Sequence, residues 1–253
     1  MDEREQEILN SFKEDFKELK ERGWVPSNRF HDTGIGKTCE DLLKIAENNS
    51  GSADYKNLIE IKSARELSEA MLTLFTKSPE PRGVNEKIKN AFGYPDEVFN
   101  HINILHTTLS AVNCNNCKGK FGFQLKIDEA KEKIFITVKN LETDTIDNSM
   151  AAYYSFNDLK KKIEEKCKYI AFIVTEHKKE KGKELFKFNK AFLLSGLTFI
   201  KFLEFVSDGS IKYDFRLGVY KSGKNKGKKH DHGSGFRVLK KDIDKIFDVD
   251  EIS

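Results

Sequence analysis

Residues 52–64, SADYKNLIEIKSA, carry carboxylates and a lysine at a spacing that could support metal-assisted hydrolysis. Asp54 precedes a short apolar run, and Glu60 and Lys62 occupy alternate positions within that run. Residues two apart on a β-strand face the same side, so Glu60 and Lys62 project together while the neighbouring isoleucines face the opposite side. Asp54 lies in the preceding turn, from which its carboxylate can swing beside Glu60.

Two carboxylates and a nearby carbonyl oxygen would form a hard, oxygen-rich site suited to Mg²⁺. The metal would orient a phosphate, stabilise charge on the transition-state oxygens and acidify an attacking water. Lys62 would position that water or neutralise developing negative charge. The pattern is short and occurs by chance in unrelated proteins, so a surface strand that carries these charges for solubility is the alternative.

The sequence also contains incomplete versions of two familiar motifs. TGIGKT, residues 33–38, resembles a phosphate-binding loop, but His31 stands where the first glycine is required and no strand precedes it. Cys114 and Cys117 form one CxxC pair, which cannot complete a tetrahedral zinc site. We therefore predict no nucleotide-binding loop, and we interpret the cysteines as part of a polar turn between strands.

Basic residues are concentrated in the C-terminal third, although the net charge is only +3. The segment 221–233, KSGKNKGKKHDHG, contains five lysines, and the segment 177–190 is also basic. These segments could form the electrostatic footprint of a nucleic-acid site or could be solvated loops. His230 and His232 point to the same side of an extended segment, where they could bind a metal ion or contact DNA, and a structural role is also open.

The elements that must position these residues follow from the composition and the apolar pattern. The 253 residues, 38% hydrophobic and 34% charged, suit one large domain or two lobes. No apolar run is long enough to span a bilayer, and the charged N-terminus is unlike a secretory signal. With four cysteines, these features predict a cytoplasmic, reduced location.

Apolar spacing predicts interleaved helices and strands, and therefore an α/β or α+β fold with a mixed central sheet. Helices are expected at 3–22, 33–49, 156–167 and 197–206. Strands are expected at 57–64, 71–76, 104–111, 120–127, 132–139, 169–174, 186–195 and 213–220. The segment 77–85 is expected to be a loop because prolines at 79 and 81 forbid regular pairing. If there are two lobes, the chain passes between them more than once.

Four segments occur together in an order that resembles the MvaI/BcnI restriction endonucleases and, more distantly, the MutH mismatch-repair nicking enzyme. They are DTGIGKTCEDLL (32–43), DYKNLIEIK (54–62), LTLFTKSPEPRGVN (72–85) and DFRLGVYKSGKNKGKKHDHGSGFR (214–237). The likeness extends from about residue 24 to the last strand. Four segments in the same order are more specific than any one motif.

The resemblance implies a PD-(D/E)XK restriction-endonuclease-like core of α/β (α+β) type, with two lobes around a DNA-binding cleft. The catalytic lobe is expected at about 1–110 with parts of the middle segment, and the DNA-recognition lobe at about 165–245. By position, the catalytic residues are Asp54, Glu60 and Lys62. Asp54 and Glu60 would bind Mg²⁺, and Glu40 matches an additional acidic residue of the MutH-like site.

Resemblance places base recognition in the segment 214–237. Arg216 and Arg237 can each contact O6 and N7 of guanine, and Asp214 can accept from a cytosine amino group. His230 and His232 would lie near the neighbouring bases. A buried ion pair between Asp214 and Arg216 is the structural alternative.

Further basic residues are expected to contact the DNA as well. The lysines between 221 and 229, Lys228 among them, would hold phosphates. Lys77 and Arg82 are also assigned to DNA binding.

The resemblance implies a type II site-specific endonuclease that hydrolyses double-stranded DNA at a CCNGG-type site, with an A·T or unspecified centre. Resemblance implies a monomer that nicks each strand in turn. It also implies a companion DNA methyltransferase in the same system that is not a physical partner. The alternatives are a MutH-like nicking endonuclease in DNA repair, a catalytically inactive sequence-specific DNA-binding protein, and a protein without a nucleic-acid partner.

Overall fold

The computed structural model describes residues 2–29, 34–45, 51–66, 68, 70–147 and 149–252. Contacts divide the chain into two compact units. Unit 1 comprises Met1–Ala70, Lys162–Thr198 and Lys240–Ser253, and unit 2 comprises Met71–Lys161 and Phe199–Leu239. The chain therefore passes between the units more than once. The catalytic and recognition lobes expected at about 1–110 and 165–245 remain a prediction about roles, because the division rests on contacts alone.

The described residues form an α+β structure with short helices around several sheets. The helices are α1 (Glu3–Glu21), α2 (Gly34–Leu42), α3 (Val84–Phe92), α4 (Phe156–Lys166), α5 (Phe199–Ser207) and α6 (Ile243–Ile246), with a 3-10 turn at Lys240–Asp242. The strands are β1 (Trp24–Pro26), β2 (Ile59–Arg65), β3 (Leu72–Thr76), β4 (Tyr94–Pro95), β5 (Asn103–Leu109), β6 (Phe121–Asp128), β7 (Lys133–Asn140), β8 (Thr145–Asp147), β9 (Tyr153–Ser155), β10 (Tyr169–Glu180), β11 (Lys183–Ser195), β12 (Ile211–Val219), β13 (Lys229–Asp231), β14 (Gly235–Val238) and β15 (Asp248–Ile252).

Unit 1 is built on a sheet with the order β1-β11-β10-β2, in which β15 also pairs with β11. β10 and β11 form a long antiparallel hairpin, and β2 runs parallel to β10 from the pair Ile59 and Tyr169 onward. The first residues of β10, YIAFIV, are mostly buried, as expected for a strand with neighbours on both sides. This parallel pairing fixes the position of the strand that carries Glu60 and Lys62.

Helix α1 covers one face of this sheet. Its apolar stripe, Leu9, Phe12, Phe16 and Leu19, is buried in the same cluster as Ile59 from β2. At the N-terminus, the Asp2 side chain accepts a hydrogen bond from the Glu5 amide and so satisfies one free N–H group of the first turn. The predicted helix over 3–22 is confirmed.

Helix α2 differs from the expected turn followed by a helix over 33–49. It begins at Gly34 and ends at Leu42, so the glycine-rich segment is helical in its described part, whereas 33 and 46–49, like His31, lie outside the described residues. A Cβ on Gly34 would lie 2.5 Å from the Arg29 carbonyl oxygen and 2.5 Å from Ser27 Oγ. The glycine therefore serves a close approach of two backbone segments rather than a phosphate-binding turn.

Unit 2 contains two sheets. The first has the order β3-β14-β12-β5-β4 with β13 added to β12, and the second has the order β6-β7-β8 with β9 added to β7. Aromatic rings from the first sheet pack together with one ring from α5 and one from β9. These rings belong to Phe75, Tyr154, Phe202, Tyr213 and Phe236. The predicted strands of this part of the chain are confirmed to within about two residues, which is the usual uncertainty of strand ends.

No helix among the described residues is long and apolar enough to cross a membrane.

Candidate functional site

Asp54 lies beside strand β2 because the chain reverses direction immediately after it. The Ile59 amide donates to the Tyr55 carbonyl oxygen at 3.1 Å, which closes the turn. The turned chain directs Asp54 Oδ2 to the backbone amide of Ile61, from which it accepts a hydrogen bond of 3.0 Å. Asp54 is therefore held by backbone geometry next to the strand, as the sequence predicts.

The side chain of Tyr55 ties this turn to helix α1. Its hydroxyl donates to Asp15 Oδ2 at 2.5 Å and lies 3.0 Å from Ser11 Oγ. Burial, followed by the hydrogen bond to Asp15, raises the pKa of Tyr55 to about 12, so the phenol remains protonated as a donor. The first helix thus contributes to the position of Asp54.

Glu60 is a buried carboxylate, 5% exposed, between two lysines. Lys62 Nζ donates to Oε1 at 2.6 Å, and Lys166 Nζ donates to Oε2 at 2.9 Å. The isoleucines on either side of Glu60 belong to the apolar cluster under α1. The predicted alternation of β2 is therefore confirmed, with Glu60 and Lys62 on the face away from that cluster.

Lys166, the last residue of α4, also lies beside Glu60 and Asp54, although no sequence motif selects it. Its Nζ also donates to the Ser52 carbonyl oxygen at 2.5 Å and lies 3.8 Å from Asp54 Oδ1. The contact arises because α4 leads into β10, which pairs with β2. The signal that could have identified Lys166 is its place just before the apolar strand β10, because β10 pairs with the strand that carries Glu60.

Glu40 lies on α2, which packs against β2, and its side chain is half-buried. Within the described residues, no group of three or more His, Cys, Asp or Glu side chains is arranged to hold a metal ion, so Glu40 does not form such a cluster with Asp54 and Glu60. Its neighbour Asp41 instead forms an ion pair of 2.9 Å with Lys37. A catalytic role of Glu40 remains a prediction.

In unit 2, Asp214 is paired with Arg237. Arg237 Nε lies 3.4 Å from Asp214 Oδ2 without hydrogen-bonding geometry, and Thr108 Oγ1 donates to Asp214 Oδ1 at 2.9 Å. Arg237 is only 8% exposed, and its Nη2 donates to the Gly233 carbonyl oxygen at 2.9 Å. A buried ion pair of Asp214 thus exists, but its cation is Arg237 rather than the Arg216 considered from the sequence.

Arg216 lies on β12 opposite His106 of β5, at the beginning of a row of aromatic rings. The ring centroids of His106 and His232 are 6.1 Å apart, and those of His232 and His230 are 4.4 Å apart. His230 in turn stacks on Tyr220 at 4.0 Å. The structure therefore brings together Arg216, His230 and His232, and it adds His106 from the neighbouring strand β5.

Gly218 permits this close grouping of imidazoles. A Cβ at this position would lie 2.9 Å from His232 Nε2 and 3.1 Å from His106 Nε2. Burial is the main cause that lowers the pKa of both His106 and His232. Their neutral forms are therefore favoured, and each ring keeps a nitrogen that can accept a hydrogen bond.

The lysine-rich segment 221–229 is attached to the rest of unit 2 at both ends. Lys221 bonds to Asp96, and Lys229 bonds to Glu86. Between these ends, Lys228 is exposed and donates to Asn225 Oδ1 at 3.3 Å. The exposed lysines are consequently presented from a segment with fixed ends.

Lys77 and Arg82 have different surroundings. Lys77 forms an ion pair of 3.1 Å with Asp158, so its charge is already engaged. Arg82 is exposed and, together with Lys229 and His230, lines a cavity of about 450 Å³. Two of the segments selected from the sequence, 72–85 and 214–237, therefore meet within unit 2.

Cys114 and Cys117 lie in the connection between β5 and β6, as the predicted polar turn requires. The Cys117 amide donates to the Phe121 carbonyl oxygen at 2.7 Å, and the Asn115 side chain donates to Thr107 Oγ1 at 2.8 Å. Both cysteines are free thiols whose pKa values are raised by burial. The prediction of a turn between strands is confirmed.

Comparison with known proteins identifies the family. Residues 13–247 match the MvaI/BcnI restriction endonuclease family. Among solved structures, the complex of the restriction endonuclease MvaI with its cognate DNA substrate is 38% identical, with a TM-score of 0.91 and 100% of both chains covered. MvaI in the absence of DNA is 36% identical, with a TM-score of 0.59 and coverage of 100% of this chain and 99% of that chain. No curated protein sequence matched the chain.

The family match covers nearly the whole chain, and the fold agrees with that of the similar structures. The residues grouped on β2 of unit 1 are those of the sequence motif on which the resemblance rests. The mixed α+β fold and the type II endonuclease activity follow from this relationship. The chain belongs to the MvaI/BcnI restriction endonuclease family.

Proposed function

We propose that this site-specific DNA endonuclease cuts double-stranded DNA at a CCNGG-type site, using Mg²⁺ and the residues grouped around Glu60. The observation that carries the proposal is the contact of Glu60 with Lys62 on a strand beside Asp54. Members of this family work with divalent metal ions. The similar MvaI structure contains cognate DNA, which supports double-stranded DNA as the substrate of this chain.

The oxygen atoms around Asp54 and Glu60 fit a hard cation. Glu60 Oε2, Asp54 Oδ1 and the Ser52 carbonyl oxygen all face one ammonium group, that of Lys166. Carboxylate and carbonyl oxygens are the ligands that Mg²⁺ prefers in proteins. When bound there by Asp54 and Glu60, Mg²⁺ would polarise the scissile phosphate and lower the pKa of a water molecule.

Lys62 supplies a positive charge next to this position. Its ammonium group donates to Glu60 and remains partly accessible, with a side-chain exposure of 24%. A lysine in this place can hold an attacking water or stabilise negative charge that develops on phosphate oxygens. Glu40, on the helix that packs against β2, would act as an additional acidic residue beside the metal ligands Asp54 and Glu60.

For recognition we propose base contacts from unit 2. Arg216 would contact guanine and Asp214 would accept from cytosine, and His230 and His232 would lie near the neighbouring bases. Arg237, buried against Asp214, would keep that carboxylate in its orientation. The exposed Lys228 and Arg82 would contact phosphates, which adds affinity without sequence information, and Lys77 would do so by exchanging its ion pair with Asp158 for a phosphate.

The target is a CCNGG-type sequence whose centre is an A·T pair or any pair. The enzyme acts as a monomer that nicks each strand in turn, as the family resemblance implies, and the single Asp54, Glu60 and Lys62 set of the chain is consistent with this action. It works in the cytoplasm, where a companion methyltransferase modifies the host DNA without binding the enzyme.

Digestion of a plasmid of known sequence with Mg²⁺, followed by mapping of the ends, tests this function. We expect discrete cuts at CCNGG-type sites with the native protein. Lys62→Ala should reduce cleavage by about a hundredfold to a thousandfold, as is common when one charge-stabilising group is removed, while duplex binding changes little. Lys13→Ala removes an exposed lysine of α1 and should cut normally.

Three results would contradict the proposal in different ways. Loss of duplex binding in Lys62→Ala would argue against its catalytic role. Cutting that requires an added protein would favour a nicking enzyme of DNA repair. Salt-sensitive specific binding without any cutting would indicate an inactive DNA-binding protein.

A further inference from the structure

Lys166 brings a cation of the protein itself into the candidate metal site. Its Nζ lies 2.9 Å from Glu60 Oε2, 2.5 Å from the Ser52 carbonyl oxygen and 3.8 Å from Asp54 Oδ1. These are oxygen atoms of the kind that a hard divalent cation takes as ligands. The atoms suited to Mg²⁺ are thus the atoms that hold Lys166.

Charge balance makes the two cations competitors. In the structure, the carboxylates of Asp54 and Glu60 are balanced by the ammonium groups of Lys62 and Lys166. A divalent ion added to this set would leave an excess of positive charge in a half-buried place. Like charges at such short distances repel strongly where water is partly excluded, so metal binding favours departure of one lysine.

The backbone near Lys166 is fixed, whereas its side chain can move. Cys167 is fully buried and its amide donates to the Ile163 carbonyl oxygen at 2.8 Å. Two residues later, Tyr169 begins the parallel pairing with β2. The four-carbon stem of a lysine is flexible, and the Lys166 side chain is 16% exposed, so its ammonium group can withdraw toward water.

Lys62 is a less suitable group to leave. Its Nζ contacts Glu60 Oε1, the oxygen on the other side of the carboxylate from Lys166. Glu60 Oε1 is not one of the three oxygens that face Lys166, so Lys62 is bound outside that group.

We infer that Lys166 is a positioning residue that holds Asp54 and Glu60 together before metal binds and then competes with the divalent ion for their oxygens. Lys166 thereby sets the metal affinity of the enzyme. This role rests on the metal-dependent function proposed above.

The test is calorimetric titration of the full-length, DNA-free protein with Mn²⁺, a cation of similar oxygen preference. The variant Lys166→Met keeps the apolar stem and removes the charge. If Lys166 occupies the site in about nine of ten molecules, its removal tightens the apparent Kd for Mn²⁺ about tenfold. Lys160→Met, an exposed lysine of the same helix, should leave the Kd unchanged.

Thermal unfolding provides a second measurement. Without metal, Lys166→Met should melt at a lower temperature than the native protein, because two adjacent carboxylates lose a neutralising charge. Saturating Mn²⁺ should raise the Tm of this variant more than that of the native protein. An unchanged or weaker Mn²⁺ affinity in Lys166→Met overturns the inference. If cleavage is lost in the same variant, Lys166 contacts the substrate instead.

Asp54→Asn separates failure of this inference from failure of the proposed function. Mn²⁺ binding by the native protein that disappears in Asp54→Asn supports the metal site whatever Lys166→Met does. Absence of Mn²⁺ binding in both the native protein and Lys166→Met contradicts the metal-dependent function itself.

Discussion

Glu60 shows how single residues combine stability and chemistry in this enzyme. Each of its carboxylate oxygens accepts from a different lysine, and the side chain is almost fully buried. A buried charge is tolerated when it is paired, and removal of one partner is costly because it leaves the other charge without compensation. In the metal site proposed above, a carboxylate oxygen that accepts a hydrogen bond from a lysine would also be a ligand of the cation.

Sequence reasoning found part of this group for a clear physical reason. Asp54, Glu60 and Lys62 are close in sequence, and the two-residue period of a strand determines which of them share a face. Lys166 is brought to them only by the pairing of β10 with β2, which no local pattern encodes. An ion pair of Asp214 with Arg216 is the structural alternative that the sequence suggests, whereas the partner of Asp214 in the fold is Arg237.

Arg237 provides a prediction at the scale of one residue. Arg237→Ala should weaken binding of a CCNGG duplex by about tenfold or more, about 1.4 kcal/mol, because Asp214 loses the cation that orients it. Binding of a duplex without the site should change less than about twofold, as expected for a residue that does not contact phosphate. Fluorescence anisotropy with both duplexes measures the two affinities.

Lys212→Ala is the matched control, because Lys212 lies opposite Arg237 in the pairing of β12 and β14. This variant should bind both duplexes normally. If Arg237→Ala instead weakened both duplexes equally, Arg237 would belong with the phosphate contacts.

At the scale of elements, most helices and strands follow from apolar periodicity, and the exceptions have identifiable causes. Helix α3 begins at Val84, within the predicted loop 77–85, and its nine residues are too few for a strong helical period. Strand β15 is mostly charged and exposed, DVDEI, and it forms only because it adds to β11. Such elements depend on their neighbours rather than on their own sequence.

The lysine-rich segment 221–229 provides a prediction at this scale. Replacing the exposed Lys224, Lys226 and Lys228 together by Gln should reduce the slope of log K against log salt by up to about 0.9 for each lysine that contacts a phosphate. The reduction should be the same for duplexes with and without the site. Binding titrations between about 50 and 200 mM salt measure this slope.

Three exposed lysines elsewhere in unit 2, Lys118, Lys120 and Lys126, serve as the control when they are replaced by Gln. Their loss should leave the slope unchanged. A slope that stayed the same after removal of the lysines in 221–229 would show that this segment does not contact DNA.

At the scale of the whole molecule, the order of the sequence motifs identified the family, but the division into two units could not be obtained in the same way. Each unit is assembled from separate stretches of chain, and their boundaries depend on which strands pair. Pairing between distant strands is a property of the folded chain, whereas motif order is a property of the sequence itself. Family and fold class were therefore predictable, and the units were not.

The proposed monomeric action predicts how a plasmid with one site is cut. A single active site must cut the strands in separate events, so open-circular DNA should rise before linear DNA appears. Time courses at saturating enzyme, resolved on agarose gels, measure both products. Linear DNA without an open-circular intermediate, together with a rate that below saturation rises with the square of enzyme concentration, would indicate two cooperating copies instead.

The strand order of unit 1 has a consequence for when this enzyme can become dangerous to the cell that makes it. Strand β2 carries Glu60 but pairs with β10, and β15 is added to the same sheet from residues 248–252. During translation, therefore, β2 has no partner until residues 169–180 have been synthesised, and β15 joins the sheet only after all of unit 2. A fragment released before residue 169 contains Glu60 without the strand that pairs with β2, so we expect no cutting activity from such a fragment.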